Sequence, residues 1–444
     1  MRRTAVRCSG RVQPGGMADN TFLHDAYKSQ AVFVGEQLDA NASRPLRIQA
    51  DERPGHVFVF GADGAGKQAL LWNMMVQDIH NGAGVCVIDV MGRYAQPLLD
   101  AIPAHRTNET LYLELGNERR VIGFNAFHGV PSRDRSRAAQ NFMALFIAIW
   151  KLEDDTHPLM LRLMRAAARA LLDSEEGTLL GMYALLTNAD YRQRIVQQCD
   201  DPMARRFWAD FETWKEEDKR DKPQPVLTRL EAFLSAPHLR CVLGQTKSTL
   251  DLEQVVHSRQ ILIADLPRQV LGPETAKLFG SLLLTRLQTI LEARGGGWPF
   301  YIYIPEAQHV HVALAARAIT SQFKHAGVVT SIDQLASYDR DHQNALLTAK
   351  RLVAFRLAPD DARKVAARFP IAQSEQSLVT LTEHKLALSD WKYELNAFSA
   401  LPADTGSRKH ILNRSHYMLS VPRKPVERKI TKFLDGLSEA KYNS

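Results

Sequence analysis

Eight consecutive residues constrain this chain more than any other stretch: Gly61-Ala62-Asp63-Gly64-Ala65-Gly66-Lys67-Gln68. They fit the spacing G-x-x-x-x-G-K, and their surroundings decide what that spacing means. Immediately before them runs His56-Val57-Phe58-Val59-Phe60, bounded by Gly55 and Gly61, which reads as a buried strand. After them the pattern predicts a helix from Lys67 to about His80. A glycine-rich turn between a strand and a helix N-terminus points backbone N–H groups at an anion, and the helix dipole adds to the attraction. Lys67 is placed to neutralise the outer phosphates of a bound nucleotide. The loop Gly61–Gln68 therefore predicts a phosphate-binding turn.

The rest of the chain supplies a matching scaffold. Asn81-Gly82-Ala83-Gly84 reads as a turn, Val85–Val90 as a second buried strand, and Thr110–Leu115 as a third. Strand, helix, strand at this spacing is a βαβ unit, hence a parallel sheet with helices on both faces. From 131 to 257 strand signals vanish and apolar residues recur at helical spacing, as in Met160, Leu163, Met164, Ala167 and Leu171. Within that block the charge cluster Glu216–Lys222, ending at Pro223, predicts an exposed loop. Sheet texture returns at Gln260–Leu266, Phe300–Ile304, Gly327–Ile332 and Leu352–Leu357, with a long amphipathic helix over Glu274–Arg294. The expected fold class is α/β. A RecA-like P-loop core with a mainly parallel sheet comes from residues 47–130 and 258–400, and an all-α domain is inserted at 131–257.

Two flanks remain. Residues 1–46 form a lead-in, flexible over 1–16 with Met17 as an alternative start, and the stretch 17–55 reads as irregular with one short helix. Residues 401–444 form a basic tail. Its segment Arg408–Lys432 carries eight Lys or Arg against one Glu, with one short strand near Tyr417–Val421.

Composition narrows the function classes. Of 444 residues, 45% are hydrophobic and 24% charged, which is ordinary for a globular chain with a large core. The net charge of +7 leans weakly toward a polyanionic partner such as nucleic acid. The four cysteines, Cys8, Cys86, Cys199 and Cys241, have neither disulfide-framework nor zinc-ligand spacing. The apolar run Phe142–Trp150 is too short to span a bilayer, so no membrane insertion is expected. The basic N-terminus lacks the apolar segment of a secretory signal.

Three further positions extend the site. Phe300-Tyr301-Ile302-Tyr303-Ile304-Pro305-Glu306 aligns with the strand that usually ends Asp-Glu in phosphate sites, where the Asp holds the Mg²⁺ shell and the Glu polarises water. Here Pro305 replaces the Asp and Glu306 remains as the candidate catalytic base. Gln334, after the strand Gly327–Ile332, is a candidate sensor of the γ-phosphate. Arg356, ending the next strand, is a candidate arginine finger toward a neighbouring subunit. His309 and His311 receive no metal role, because a third ligand is not evident. Position 68 also departs: a Ser or Thr hydroxyl normally ligates Mg²⁺ there, and Gln68 has none.

Taken in order, these phrases resemble the HerA/FtsK superfamily of DNA-pumping ATPases, and within it the conjugative coupling ATPases of the TraG/TraD type. The resemblance rests on His56–Gly61, Val85–Asp89, Gly123-Phe124-Asn125, Phe207-Trp208, Gln260–Leu266, Tyr301–Glu306 and Asp333-Gln334-Leu335, and it spans about residues 45–370. It implies ATP and Mg²⁺, a homo- or hetero-hexameric ring, DNA in the central pore, and a conjugation or type IV secretion machinery as partner. By that resemblance Lys67 holds phosphate, Glu306 is the base and Gln334 the sensor. Coupling proteins usually carry an N-terminal membrane anchor. This chain reads as a relative without one, expected in the bacterial cytoplasm and at the inner membrane only through partners.

The departures shape the functional expectation. The family's second strand typically ends Asp-Pro-Lys-Gly-Asp, whereas this chain reads Asp89-Val90-Met91-Gly92-Arg93. With Gln68 and Pro305, four polar positions are altered, two of them concerning the metal. The expectation is ATP binding by Gly61 to Gln68, with Asp89 beside them, over a weakened Mg²⁺ site and impaired hydrolysis. Asp89 and Asp333 are the residues available to compensate. The alternatives are an active DNA-translocating motor and, resting on the basic tail, a DNA-binding structural subunit with no nucleotide role.

Overall fold

The computed structural model describes residues 31–39, 42–53, 56–153, 155–310, 325–370 and 374–442. Among them, thirteen strands are β1 (Ala31–Asp39), β2 (Ala42–Gln49), β3 (Val57–Phe60), β4 (Gly84–Asp89), β5 (Thr110–Glu114), β6 (Arg120–Ile122), β7 (Ile261–Asp265), β8 (Phe300–Ile304), β9 (Ala326–Ile332), β10 (Arg351–Ala354), β11 (Lys385–Leu388), β12 (Leu395–Asn396) and β13 (Ser420–Pro422). Eleven of them form one sheet in the order β2-β1-β12-β11-β10-β3-β9-β8-β4-β7-β5. From β10 to β5 every pairing is parallel. From β10 to β2 every pairing is antiparallel. The architecture is the α/β, mainly parallel sheet that the sequence predicts.

The central strands read as unbroken apolar runs because both of their faces are buried. Phe58, Phe60, Cys86, Ile88, Ile302 and Ile304 enter one core. Their neighbours Val57, Val59, Val85, Val87, Tyr301 and Tyr303 enter the other. The first core is covered by the helix Pro273–Ala293 and by the helical block between β6 and β7. The second is covered by α1 (Lys67–His80).

Between Arg135 and His257 the described elements are helices only, as the apolar spacing predicts. Phe207-Trp208 belongs to the core of this block: Trp208 is buried and its indole N–H donates to the Ala166 carbonyl (3.3 Å). Gly123-Phe124-Asn125 ties the block to the sheet domain. The Asn125 amide donates to the carbonyls of Gly177 (2.7 Å) and Thr246 (2.8 Å), and a Cβ at Gly123 would stand 2.6 Å from the Lys247 carbonyl oxygen.

Three expectations change. The charge cluster near 216 is a short helix, Glu216–Asp221, rather than a loop. Glu216, Glu217 and Asp218 sit in its first turn and Lys219 and Arg220 in its last, which suits the helix dipole, and Lys219–Glu216 and Lys222–Asp218 pair along it.

The lead-in is not irregular where it is described. It forms the β1–β2 hairpin on the sheet edge, and Gln77 of α1 exchanges hydrogen bonds with the Phe33 backbone (2.9 and 3.1 Å). The partner strand, β12, lies far along the chain, so no local pattern announces the pairing. Residues 1–16, Met17 and His311 lie outside the described residues.

The basic tail is mostly helical, over Arg408–Leu419 and Arg423–Tyr442, with β13 between them pairing β6. Ile411 and Leu419 are buried, and Ser415 Oγ accepts a hydrogen bond from the Tyr112 N–H (2.9 Å). The high Lys and Arg content masks this inward stripe in the sequence.

Candidate functional site

The parallel strands end at one edge, which is where open α/β sheets place ligands. There the loop Gly61–Gly66 hangs between two neighbours of β3. The Gly61 N–H donates to the Ile332 carbonyl at the end of β9 (3.2 Å), and the Ala62 N–H donates to the Arg356 carbonyl beyond β10 (2.9 Å). Gly66 has φ of +116°, and a Cβ there would lie 2.8 Å from the Phe355 ring. A Cβ at Gly61 would meet the same side chain at 2.8 Å. Phe355 thus floors the loop, and only glycine lets the backbone lie on it.

Lys67, the first residue of α1, is buried. Its ammonium donates to the carbonyls of Gly61 (2.5 Å) and Ala62 (2.7 Å) and pairs with the Asp333 carboxylate (3.0 Å). The first N–H groups of α1 have no intrahelical acceptor and open toward the loop. A phosphate fits this cradle through backbone amides and one lysine.

The opposite wall is built by side chains. Glu306 follows β8, and its carboxylate accepts a hydrogen bond from Arg93 (3.0 Å), which stands in the loop after β4. Burial pushes the Glu306 carboxyl up to about 7. Arg93 opposes that shift, while Asp89, Asp333 and Asp63 add to it. Across the strand order β3-β9-β8-β4 the charged groups run Lys67, Asp333, Glu306, Arg93, joined as two ion pairs. Ala62, Asp63, Met91, Arg93, Glu306 and Gln334 line one cleft of about 390 Å³ between these walls.

Of the residues singled out in the sequence as site residues, the cleft collects Ala62, Asp63, Glu306, Asp333 and Gln334, and Lys67 reaches it through its ion pair with Asp333. Gln334 is exposed. Its turn is fixed by buried Asp361, which accepts hydrogen bonds from the N–H groups of Leu335 (2.9 Å) and Ala336 (2.8 Å). The Arg356 side chain is exposed, and its carbonyl holds the loop of the same chain.

Asp89 has a different task from the one expected. It is fully buried, and its carboxylate is occupied by the N–H groups of Gly92 (2.9 Å), Tyr94 (2.7 Å) and Ala95 (2.7 Å). It shapes the turn that carries Arg93.

Magnesium fits this donor set poorly. A hard divalent cation needs several oxygen ligands. Gln68 is exposed and has no hydroxyl, and Pro305 offers only a carbonyl, which already accepts from Ser331 Oγ. Of the three carboxylates that line the cleft, Asp333 and Glu306 are each paired with a cation, and Asp63 accepts a hydrogen bond from the Gly64 N–H (3.1 Å). Arg93 stood out in the sequence only as a departure from a family pattern. Its pairing with Glu306 joins residues far apart in the chain. Gln308, which donates to Asp333 (2.9 Å), and Asp361 gave no sequence signal.

No family model and no curated protein matches the chain. Solved structures do. VirB4 of Thermoanaerobacter pseudethanolicus superposes with a TM-score of 0.57 at 12% identity, over 83% of this chain and 96% of that one. The bacterial conjugative coupling protein TrwBdeltaN70, in a trigonal form in complex with sulphate, gives 0.56 at 12% identity over 86% and 92%. The plasmid coupling protein TrwB in complex with ADP and Mg²⁺ gives 0.55 at 12% identity over 81% and 87%. The chain shares the fold of these proteins.

Proposed function

We propose that this chain is a HerA/FtsK-type P-loop protein of a conjugative DNA-transfer or type IV secretion machinery, one that binds ATP and hydrolyses it poorly. The observation that carries the reading is the contrast within one cleft. The phosphate cradle is complete, from Gly61 through Lys67, and lies on Phe355. The metal positions are not, and Glu306 is held by Arg93. Phosphoryl transfer depends on positioning and charge neutralisation. Loss of the two usual metal contributors removes much of both, while binding through amides and Lys67 is retained.

The fold shared with TrwB and VirB4 supports the machinery assigned here. By the family resemblance of its sequence motifs, the working form is a ring of six, made of this chain alone or with an active paralogue, with DNA as its partner in the bacterial cytoplasm. Among the described residues no helix is long and apolar enough to cross a membrane.

One observation favours the motor reading instead. Glu306 and Gln334 share the cleft with the loop, and a carboxyl that titrates near neutrality suits proton transfer. The two readings part in one experiment. ATP affinity and steady-state ATPase rate are measured with and without Mg²⁺ and DNA, on the wild type and on Lys67→Ala. Binding that is lost in the variant, with turnover no higher in the wild type than in the variant, is the expected result. DNA-stimulated turnover that needs Lys67 would establish the motor.

A further inference from the structure

The β8 and β4 side of the cleft, where Pro305 stands in place of a metal ligand, has gained a cation. Arg93 stands where the family resemblance places an Asp, on a turn fixed by the three N–H bonds to Asp89. Its side chain is 45% exposed and reaches Glu306 at 3.0 Å, on the rim shared with Ala62 and Asp63 of the phosphate loop. Lys67 is the loop's own cation, and part of its charge is spent on Asp333. A nucleoside triphosphate entering the cleft brings several negative charges, and the two acids opposite the loop add to the repulsion. A guanidinium meets phosphate oxygens in a planar, two-pronged fashion and stays charged at any working pH.

We propose that Arg93 is a nucleotide-binding residue that supplies, from within the same chain, the positive charge a divalent cation provides in other P-loop sites, so that ATP binds here without magnesium. The proposal rests on the reading of the cleft as a nucleotide site. Arg93 leaves Glu306 for the phosphates when nucleotide enters. Glu306 is thereby left without its ion-pair partner, and its burial among Asp89, Asp333 and Asp63 favours the protonated acid over the carboxylate. One residue then both neutralises the triphosphate and governs the charge of the candidate base.

The test is calorimetric titration of the full chain with ATP, once in EDTA and once in excess Mg²⁺. It compares the wild type with Arg93→Ala, Arg93→Lys, Lys67→Ala and Glu306→Gln. The expected results are a wild-type affinity that changes less than about threefold with Mg²⁺, and a loss of roughly 10- to 100-fold in Arg93→Ala. Arg93→Lys recovers part of that loss, and Glu306→Gln binds more tightly than the wild type because Arg93 is released. Thermal melting of the free Arg93 variants checks that they stay folded. Wild-type affinity in Arg93→Ala, with binding still lost in Lys67→Ala, overturns the role of Arg93 and leaves the nucleotide site standing. A wild type that binds only with Mg²⁺ also overturns it. A wild type that binds no ATP in either condition overturns the nucleotide site itself, and this inference with it.

Discussion

The two walls of the cleft are made of different material. On the β3 side the working groups are backbone amides and carbonyls, placed by glycines against Phe355 and aimed by the start of α1. On the β8 and β4 side they are side chains: Glu306, Arg93 and the proline at 305. Backbone groups are common to every residue, so the first wall needs only the conformation that its glycines permit. The second wall changes with each substitution, and it is where Pro305, Met91 and Arg93 depart from the pattern the chain resembles, while Gln68, at the start of α1, is the departure on the first wall. On the proposed reading, the difference makes phosphate binding and metal-dependent hydrolysis separable properties of this chain. The first is carried by the shape of a turn and the second by a few replaceable atoms.

The largest effect is expected where the backbone wall is broken. Gly66→Ala puts a Cβ at φ of +116°, 2.8 Å from Phe355, so the loop or the ring must move. ATP affinity measured by calorimetry should fall roughly 100-fold, with a stability cost of about 1–3 kcal/mol by denaturant unfolding. A variant that keeps wild-type affinity would mean that the loop adapts and that the backbone does not define this wall.

The side-chain wall has its own signature, in pH. The folded state holds Glu306 protonated up to about 7, whereas the unfolded chain releases that proton near the ordinary carboxylate range. The folded state therefore binds more protons than the unfolded one between these values, and stability falls as pH rises across them. Arg93 limits the shift, and Asp89, Asp333 and Asp63 enlarge it. Urea unfolding at pH 5 and pH 8 should show the wild type losing about 2 kcal/mol more than Glu306→Gln over that span. Equal losses would mean that Glu306 is ionised throughout and firmly paired with Arg93.

The same contrast explains what the sequence revealed. The loop, the strand before it and the helix after it are contiguous and obey local rules, so Gly61–Lys67 could be placed by reading alone. The unbroken apolar runs of β3, β4 and β8 likewise betray strands buried on both faces. The hairpin β1–β2 could not be seen, because its place depends on Asn396 and Gln77, distant in the chain. Nor could the tail helices, whose inward Ile411 and Leu419 are outnumbered by Lys and Arg. In the site, the residues joined across strands were missed or misassigned. Asp89, read from the sequence as standing beside the nucleotide loop and available to compensate for the lost metal donors, accepts three N–H bonds from its own turn. Asp361 carries no motif, and its role appears only when the turn at Gln334 is folded onto it.

The smallest effect is expected at Arg356, and it separates a backbone role from a side-chain role at one residue. Its carbonyl accepts the Ala62 N–H at 2.9 Å and so belongs to the backbone wall, while its guanidinium is exposed. Arg356→Ala keeps the carbonyl and removes only the guanidinium. In dilute protein, where neighbouring subunits are apart, ATP affinity should change less than about twofold, because an exposed charge in water contributes little. A finger that reaches a neighbouring subunit acts only after assembly, so its loss should appear as a defect that grows with protein concentration. An affinity loss above about fivefold in dilute protein would instead place the Arg356 guanidinium in its own cleft, beside Arg93, and the side-chain wall would hold two arginines rather than one.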